Sequence, residues 1–340
     1  MLHHFADMLD REGNYWTVVP NRERHAYRIG DLPEGSEEIT ILTVGKADEH
    51  WARLFTFPNL VELTLHEPAP EQLEAIGKLH RVKRLRITHA RPKAIDFLGT
   101  MLGVEELVLE YVSGFSDLSP LRNLPRLRAL HMENLRRVSQ FGGLSGIGTL
   151  RYLSIYGTLD WKQPVDDFEF LRGLPNLEVL AMWQMICKKP YPALLPAIGL
   201  KKLKKLKVHG SYLDTEEIAL LEEGLQGREP EVDGAIWGAY KKIAASQIPL
   251  PSNDKRAHLG AEVIKAQYPE VTICFDGRRL IDDPDSYWFE FTGKGAGRIK
   301  YGTAKAEAKC LDTEKRYEAM KQAARLLIDE EIKKPASAPI

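Results

Sequence analysis

One apolar pattern, Leu-x-x-Leu-x-Leu, recurs along the first two thirds of the chain. Its clearest copy is "LKKLKV", in which Leu203, Leu206 and Val208 are separated by lysines. Earlier copies of the same pattern begin at Ile39, Leu60, Val82, Val104, Leu127, Leu150 and Leu177. The spacings between successive copies are 21, 22, 22, 23, 23, 27 and 26 residues. A period of this length, kept over eight copies, predicts a solenoid in which each unit buries its apolar face against the next.

The residues around the pattern indicate what kind of solenoid forms. Each copy alternates apolar and polar residues as a short β-strand does, and a second apolar set precedes it, as in "LSPLRNLPRL". The whole unit resembles the leucine-rich repeat family, in particular the short, internalin-like bacterial class, over roughly residues 37–227. The resemblance implies an α/β fold with a parallel sheet on the concave face. It also implies a non-catalytic, bacterial scaffold that binds a protein partner on that face.

The chain departs from the family at one position of the repeat. Leucine-rich repeats usually have an asparagine three residues after the last apolar strand position, where it bonds backbone groups between coils. This chain has Pro68, Ala90, Val112, Leu135, Thr158, Met185 and Ser211 there. The buried backbone groups need other partners, because an unpaired one is costly. We therefore expect irregular convex connections that use 3₁₀ turns or water.

The composition along the chain predicts four segments. Residues 1–36 form an N-terminal cap, and residues 37–230 form the solenoid. The solenoid ends in a helix that begins with a capping box of Asp214 and Glu217. A linker follows at 231–254, and a small α+β domain with the order α-β-β-β-α occupies 255–335.

The outward side chains of parallel strands about 4.8 Å apart form columns on the concave face. The columns change from mixed charge to aromatic to basic along the stack, and Tyr, Trp and Arg are enriched at binding hot spots. Two longer repeats add loops beside the aromatic pair Tyr156 and Trp183. The predicted partner-binding residues are Arg84, Arg86, Glu106, Glu110, His131, Glu133, Tyr152, Tyr156, Trp161, Trp183, Tyr191, Lys205 and Lys207.

Two parts of this prediction have alternatives. Trp161 and Tyr191 either join the aromatic patch or fold inward to cover their own loops. Lys205 and Lys207 lie on the last regular strand, where they either bind a ligand or form the solvated edge of the terminal coil.

Composition and motifs limit the function classes. A net charge of −1 over 340 residues gives no overall field that would attract nucleic acid or membrane, and neither a signal peptide nor a membrane-length apolar run is present. We therefore expect a cytoplasmic protein. The three cysteines fit no disulfide framework and no zinc motif, and the histidines lack the spacing of metal ligands. Glu110 and Glu133 should face each other on neighbouring strands, but a basic partner explains this pair better than acid–base catalysis does. The sequence predicts neither an enzyme, nor a metal, nor a cofactor.

The end of the chain carries a second, shorter resemblance. The segment from Gly297-Arg298-Ile299 through the long helix ending in "EEIKK" is similar to the WGR domain, although Ala296 replaces the family's tryptophan. This resemblance implies an alternative function in nucleic-acid association. The residues expected to contact phosphate are Lys294, Arg298, Lys300 and Lys305.

Overall fold

The structure is a computed structural model. It describes residues 4–7, 19–25, 29–209, 213–226, 229–233, 238–244, 247–274, 277–283 and 287–333. Within the predicted N-terminal cap, strands β1 (His4–Asp7) and β2 (Val19–His25) pair antiparallel. Most of that cap lies outside the described residues.

A parallel sheet of nine strands runs through the described part of the chain. Its strands are β3 (Ile41–Gly45), β4 (Glu62–His66), β5 (Arg84–Thr88), β6 (Glu106–Glu110), β7 (Ala129–Glu133), β8 (Tyr152–Tyr156), β10 (Val179–Trp183), β12 (Lys205–His209) and β13 (Glu229–Asp233). Equivalent repeat positions pair in register, for example Leu63 with Leu85. The predicted solenoid is therefore confirmed, because each of the eight repeat copies forms one strand of this sheet.

The ninth strand, β13, has no counterpart in the sequence prediction. Its residues, "EPEVD", lack the leucines of the repeat, yet they pair with β12 from Lys205↔Glu229 to His209↔Asp233. Consequently β12 does not form the edge of the sheet, and the explanation of Lys205 and Lys207 as a solvated terminal edge is wrong. Backbone pairing extended the sheet where the apolar pattern had already stopped.

The connections opposite the sheet are short and differ from coil to coil. Most contain a 3₁₀ turn, as the sequence analysis predicted for the convex side. These turns are Trp51–Thr56, Leu98–Thr100, Ser119–Asn123, Gly142–Leu144 and Glu169–Gly173. The others contain the helices α1 (Pro70–Ile76), α2 (Leu195–Ile198) and α3 (Thr215–Gly224). The leucines of strands and turns form one continuous buried cluster from Ile29 to Leu225.

Three buried polar side chains replace the missing asparagines. Gln163 donates to the carbonyls of Leu135 and Val138 and accepts from the Leu135 amide, across two coils. Gln72 bonds Ala69 N and Gly45 O in the same way. Glu217 accepts from the backbone amides of residues 193 and 194, and burial raises the pKa of its carboxyl group. Each of them satisfies backbone groups that would otherwise be buried without a partner.

Glu217 also corrects the predicted capping box. The helix α3 does begin after Asp214, but the Asp214 side chain makes no capping hydrogen bond. Glu217 turns into the core instead, where the two backbone amides compete for its carboxylate.

The C-terminal segment folds as two small sheets and two helices. One antiparallel sheet has the order β14-β18-β19, formed by Tyr240–Ala244, Tyr287–Phe291 and Arg298–Lys300. The other has the order β15-β17-β16, formed by Gln247–Pro249, Arg279–Asp282 and Val271–Ile273. The helices are α4 (Ala261–Gln267) and α5 (Ala304–Lys333). The predicted linker 231–254 thus contains β14 and β15, and the order is not α-β-β-β-α.

The 30-residue helix α5 joins this segment to the solenoid. Ala324, Leu327 and Ile328 belong to the apolar cluster of the solenoid. At the other side of the contact, Arg325 forms a two-pronged hydrogen bond with Glu223 at 2.7 and 3.1 Å. The helix therefore lies over α2 and α3, on the side of the helical connections, and covers the end of the solenoid there.

Candidate interaction surface on the concave face

The central column of the concave face is closed to solvent at five of its seven positions, and Arg86 and Lys207 are half-buried. The column consists of Thr64, Arg86, Val108, His131, Ser154, Ala181 and Lys207. His131 is 2% exposed, and Ser154 and Ala181 are 0% and 1% exposed. His131 therefore does not display its ring to a partner.

The first residues of the strands form another column, which we call the first column: Glu62, Arg84, Glu106, Ala129, Tyr152, Val179 and Lys205. Its first three members alternate in charge. Arg84 Nη1 lies 2.5 Å from Glu62 Oε1, and Arg84 Nε lies 3.0 Å from Glu106 Oε2. Arg128, one residue before β7, continues the series to Glu106 at 3.1 Å. We call Glu62, Arg84, Glu106 and Arg128 the acid–base ladder. Glu62, Arg84 and Glu106 are buried, so the predicted site residues Arg84 and Glu106 hold coils together instead of facing a partner.

Tyr152 continues the same column and is also withdrawn. Its side chain is 2% exposed, and burial raises the pKa of its phenol. Tyr152 is therefore part of the core and not of the predicted aromatic patch, whereas Tyr156 and Trp183 are half-buried.

The accessible part of the concave face is the edge where the strands end. His66, His89 and Tyr111 form a series of rings there, with centroids 5.3 Å apart for the first pair and 4.8 Å apart, nearly parallel, for the second. Further along, Tyr156 and Trp183 have centroids 6.1 Å apart. Glu133, the register partner of Tyr156, lies between the two groups. We call His66, His89, Tyr111, Glu133, Tyr156 and Trp183 the edge row.

An unusual backbone conformation places part of this row. Glu67, His89, Tyr111, Asn134 and Gln184, each just past a strand, have φ between 47° and 56°. The left-handed region is uncommon for such residues and needs compensation. It comes from hydrogen bonds between coils, since the amides of the first four donate to the carbonyls of Thr88, Glu110, Glu133 and Tyr156. The sequence prediction missed His89 and Tyr111 because they lie one residue beyond the strand; the register of the repeats was the signal that could have located them.

Charged groups lie beside the rings. Arg86 donates to Glu110 Oε2 at 2.9 and 2.5 Å. Burial, followed by the charge of Glu133, raises the pKa of Tyr111, whereas burial lowers the pKa of His66. A cavity of about 350 Å³ opens among these side chains. The edge row therefore combines aromatic area with both signs of charge.

The two repeat insertions pair with each other. Strands β9 (Gln163–Val165) and β11 (Met185–Cys187) form a separate two-stranded parallel sheet. Trp161 closes a small turn through backbone bonds with Thr158 and is half-buried, and Tyr191 packs against the solenoid core. Of the two predicted loop aromatics, Tyr191 is thus used inward for packing.

Lys205 and Lys207 are half-buried in the middle of the sheet. The register places Glu229 and Glu231 of β13 beside them, as well as Val179 and Ala181 of β10. Lys205 belongs to the first column and Lys207 to the central column, whereas the aromatic residues of the edge row lie at or just beyond the ends of the strands. The two lysines are therefore separated from those aromatic residues.

Comparison with known proteins gives the following result. No protein-family model and no curated protein matches the chain. Among solved structures, internalin C2 of Listeria monocytogenes is similar at 20% identity and a TM-score of 0.36, over 50% of this chain and 71% of that one. Internalin F of the same organism is similar at 16% identity and a TM-score of 0.28, over 46% and 63%. A leucine-rich repeat protein of Leptospira interrogans is similar at 19% identity and a TM-score of 0.37, over 59% and 51%.

The chain thus spans less than two thirds of the length of two of these three proteins. Its own coordinates decide the architecture, because the Leu-x-x-Leu-x-Leu segments stack as parallel strands in register. The chain has the leucine-rich repeat fold. None of the helices in the described part of this leucine-rich repeat chain has the length and apolarity needed to cross a lipid bilayer.

The predicted phosphate-binding residues lie outside the repeats, and all four are exposed. Arg298 and Lys300 lie on β19 and pair with Glu290 and Trp288 of β18. The Arg298 guanidinium lies 5.5 Å from the centre of the Trp288 ring. Lys294 is in the preceding turn and Lys305 is in the first turn of α5. The structure thus brings Arg298 and Lys300 together with an aromatic ring that the sequence prediction did not include.

Proposed function

We propose that this leucine-rich repeat chain is a non-catalytic module that binds a protein partner along the edge row of its concave face. One observation carries the proposal: five rings from six successive repeats line one accessible edge, with Glu133 in the remaining repeat, and Tyr111 remains 40% exposed. Aromatic residues bring large contact area with few rotatable bonds, so they dominate protein interfaces. The cytoplasmic location and the bacterial origin stay predictions of the sequence.

The mechanism of binding is rigid display. The backbone of each coil is bonded to the next coil through both the strand and the residue after it, so the rings keep fixed positions. Little conformational entropy is then lost on binding, which raises the affinity obtained from a given contact area. Glu133 and the Arg86–Glu110 pair supply charge that would select the partner and set its register.

Replacing both Tyr156 and Trp183 with alanine should abolish capture of the partner. The double variant removes one end of the edge row, where two half-buried rings lie 6.1 Å apart. Affinity purification from cell extract, with identification by mass spectrometry and then a titration of the purified partner, measures the loss. A fall in affinity of at least about 100-fold is expected for two hot-spot aromatics.

The matched control is Tyr301→Ala, which removes an aromatic side chain that is 45% exposed on the C-terminal segment. It should leave capture unchanged. Circular dichroism and thermal melting verify that the double variant is folded. Full capture by a folded Y156A/W183A chain would contradict the proposed surface.

A second candidate function, nucleic-acid association, is favoured by the C-terminal sheet. Its exposed face carries Lys241, Arg298 and Lys300 around Trp288, which is the combination of cations and an aromatic ring that single-stranded nucleic acid uses. The cations would contact phosphates, and the ring would stack on a base once Arg298 moves aside. Here the repeats would serve as a scaffold for other proteins.

Retention of the full chain on immobilised single-stranded RNA or DNA tests this candidate. Binding should weaken steeply with salt, and the double variant R298A/K300A should reduce the slope of log affinity against log salt by about 1.4. The control K255A removes an exposed lysine elsewhere on the segment. Retention that is absent at low salt, or equal in both variants, would remove nucleic acid from consideration.

A further inference from the structure

Three potential ligand side chains meet in the middle of the edge row. Glu110 ends β6, and His131 and Glu133 lie on the next strand, β7, on the same face. One ligand atom from each residue lies within 4.8 Å of the other two. The sequence analysis named these three residues and the Glu110–Glu133 pair, but it did not predict a metal site, because the three residues come from two repeats and show no short spacing motif.

The state of His131 points to a ligand. Its ring is 2% exposed, and Nδ1 lies 2.8 Å from Ser154 Oγ. Nε2 has no hydrogen bond to any residue that the structure describes, and Glu133 Oε2, 3.9 Å away, is the charged group nearest to it. One ring nitrogen of His131 and one carboxylate oxygen each of Glu110 and Glu133 all lie within 4.8 Å of one another. If Nδ1 donates to the serine hydroxyl, Nε2 presents its lone pair to the two carboxylates, which is the arrangement of a metal-binding histidine.

Each carboxylate also contacts a neighbouring side chain: Glu110 accepts from Arg86, and Glu133 accepts from the Tyr111 hydroxyl. Two hydrogen bonds from Arg86 go to Oε2 of Glu110, and Oε1 is the oxygen that would bind an ion. Arg86 thus orients Glu110 as an outer-shell partner orients a metal ligand. Two carboxylates and one guanidinium leave a local charge of about −1, which favours a cation. The 350 Å³ cavity is lined by Glu110 and Glu133 and has room for water on the open side of an ion.

We propose that Glu110 Oε1, His131 Nε2 and Glu133 form a binding site for a divalent first-row transition-metal ion, with Zn²⁺ as the representative. An imidazole with two carboxylates suits such ions, whereas Mg²⁺ and Ca²⁺ prefer oxygen ligands alone. Ligand bonds of about 2.0–2.2 Å require the donor atoms to approach by about 1 Å, which rotation of the glutamate side chains allows. The remaining coordination positions face the cavity and hold water. The site does not depend on the proposed protein partner.

Isothermal titration of the chelator-treated full chain with ZnCl₂, in a buffer that does not bind metal, tests the site. We expect saturable one-to-one binding, at least about tenfold weaker in E110Q and E133Q. The amide keeps the size of the carboxylate, so both variants should fold. The control E307Q changes an exposed glutamate on α5 and should bind like the wild type. Mg²⁺ and Ca²⁺ should give no saturable binding.

A second measurement does not depend on any variant. The ¹⁵N chemical shift of His131 Nε2 should move on addition of Zn²⁺, while Nδ1 keeps the shift of a hydrogen-bonded nitrogen. Absence of saturable Zn²⁺ binding by the wild type, equal affinity in E133Q, or a ligand shift at Nδ1 instead of Nε2 would each overturn the site.

Discussion

Replacing Arg84 with methionine should lower the free energy of unfolding by about 3–5 kcal/mol. Arg84 lies between Glu62 and Glu106 in the acid–base ladder, at 2.5 and 3.0 Å, and all three are buried. Methionine keeps much of the apolar volume and removes the charge, so Glu62 and Glu106 lose the cation that lies between them, while Arg128 stays 3.1 Å from Glu106. Chemical denaturation at neutral pH measures the change. An effect below about 1 kcal/mol would mean that the ladder contributes no more than a surface ion pair.

The matched control for this substitution is R151M. It breaks a pair whose arginine is 44% exposed, Arg151–Glu178, and should cost less than about 1 kcal/mol.

The second large effect is expected for Gly157→Ala, at about 3 kcal/mol or more. Gly157 follows β8 and donates its amide to the Trp183 carbonyl of the next coil at 2.8 Å. A β-carbon there would lie 2.0 Å from Gln184 O, 2.5 Å from Trp161 O and 2.7 Å from Gln163 N. These are backbone atoms and cannot rotate away, so the coils on both sides would have to separate. Thermal and denaturant unfolding measure the loss.

Gly148→Ala is the matched control for this substitution. A β-carbon at Gly148 would have no neighbour within 4 Å. This variant should unfold like the wild type or be more stable by up to about 1 kcal/mol. Equal stability of G157A and G148A would show that the coils around Gly157 separate without cost, which contradicts the close packing of β9 against its neighbours.

The sequence was sufficient for the solenoid because the signal is repeated. A single Leu-x-x-Leu-x-Leu segment is ambiguous, but equivalent leucines such as Leu85 and Leu107 can be buried only if neighbouring copies stack in register. The same argument failed at β13, whose "EPEVD" has no such repeat, and at the capping box, where Glu217 found stronger partners in the core.

The candidate site was predicted only in part. The alternation of side chains along each strand predicted which ones point away from the core on the concave face. Several of these outward side chains are nevertheless buried. Neighbouring strands are so close that His131, Glu106 and Tyr152 are covered by the side chains beside them. Tyr156 and Trp183 stand at the ends of their strands and remain half-buried.

The sequence by itself determined the repeat, its period and the stacking of its leucines, since these follow from apolar residues that must leave water together. Only the tertiary structure decided which outward residues face solvent, how Glu110, His131 and Glu133 meet across two repeats, and where α5 packs. Those outcomes depend on distances between residues remote in the chain, as with Glu223 and Arg325. A local pattern carries no information about such distances, because side-chain size, charge pairing and backbone register fix them only when the coils are assembled.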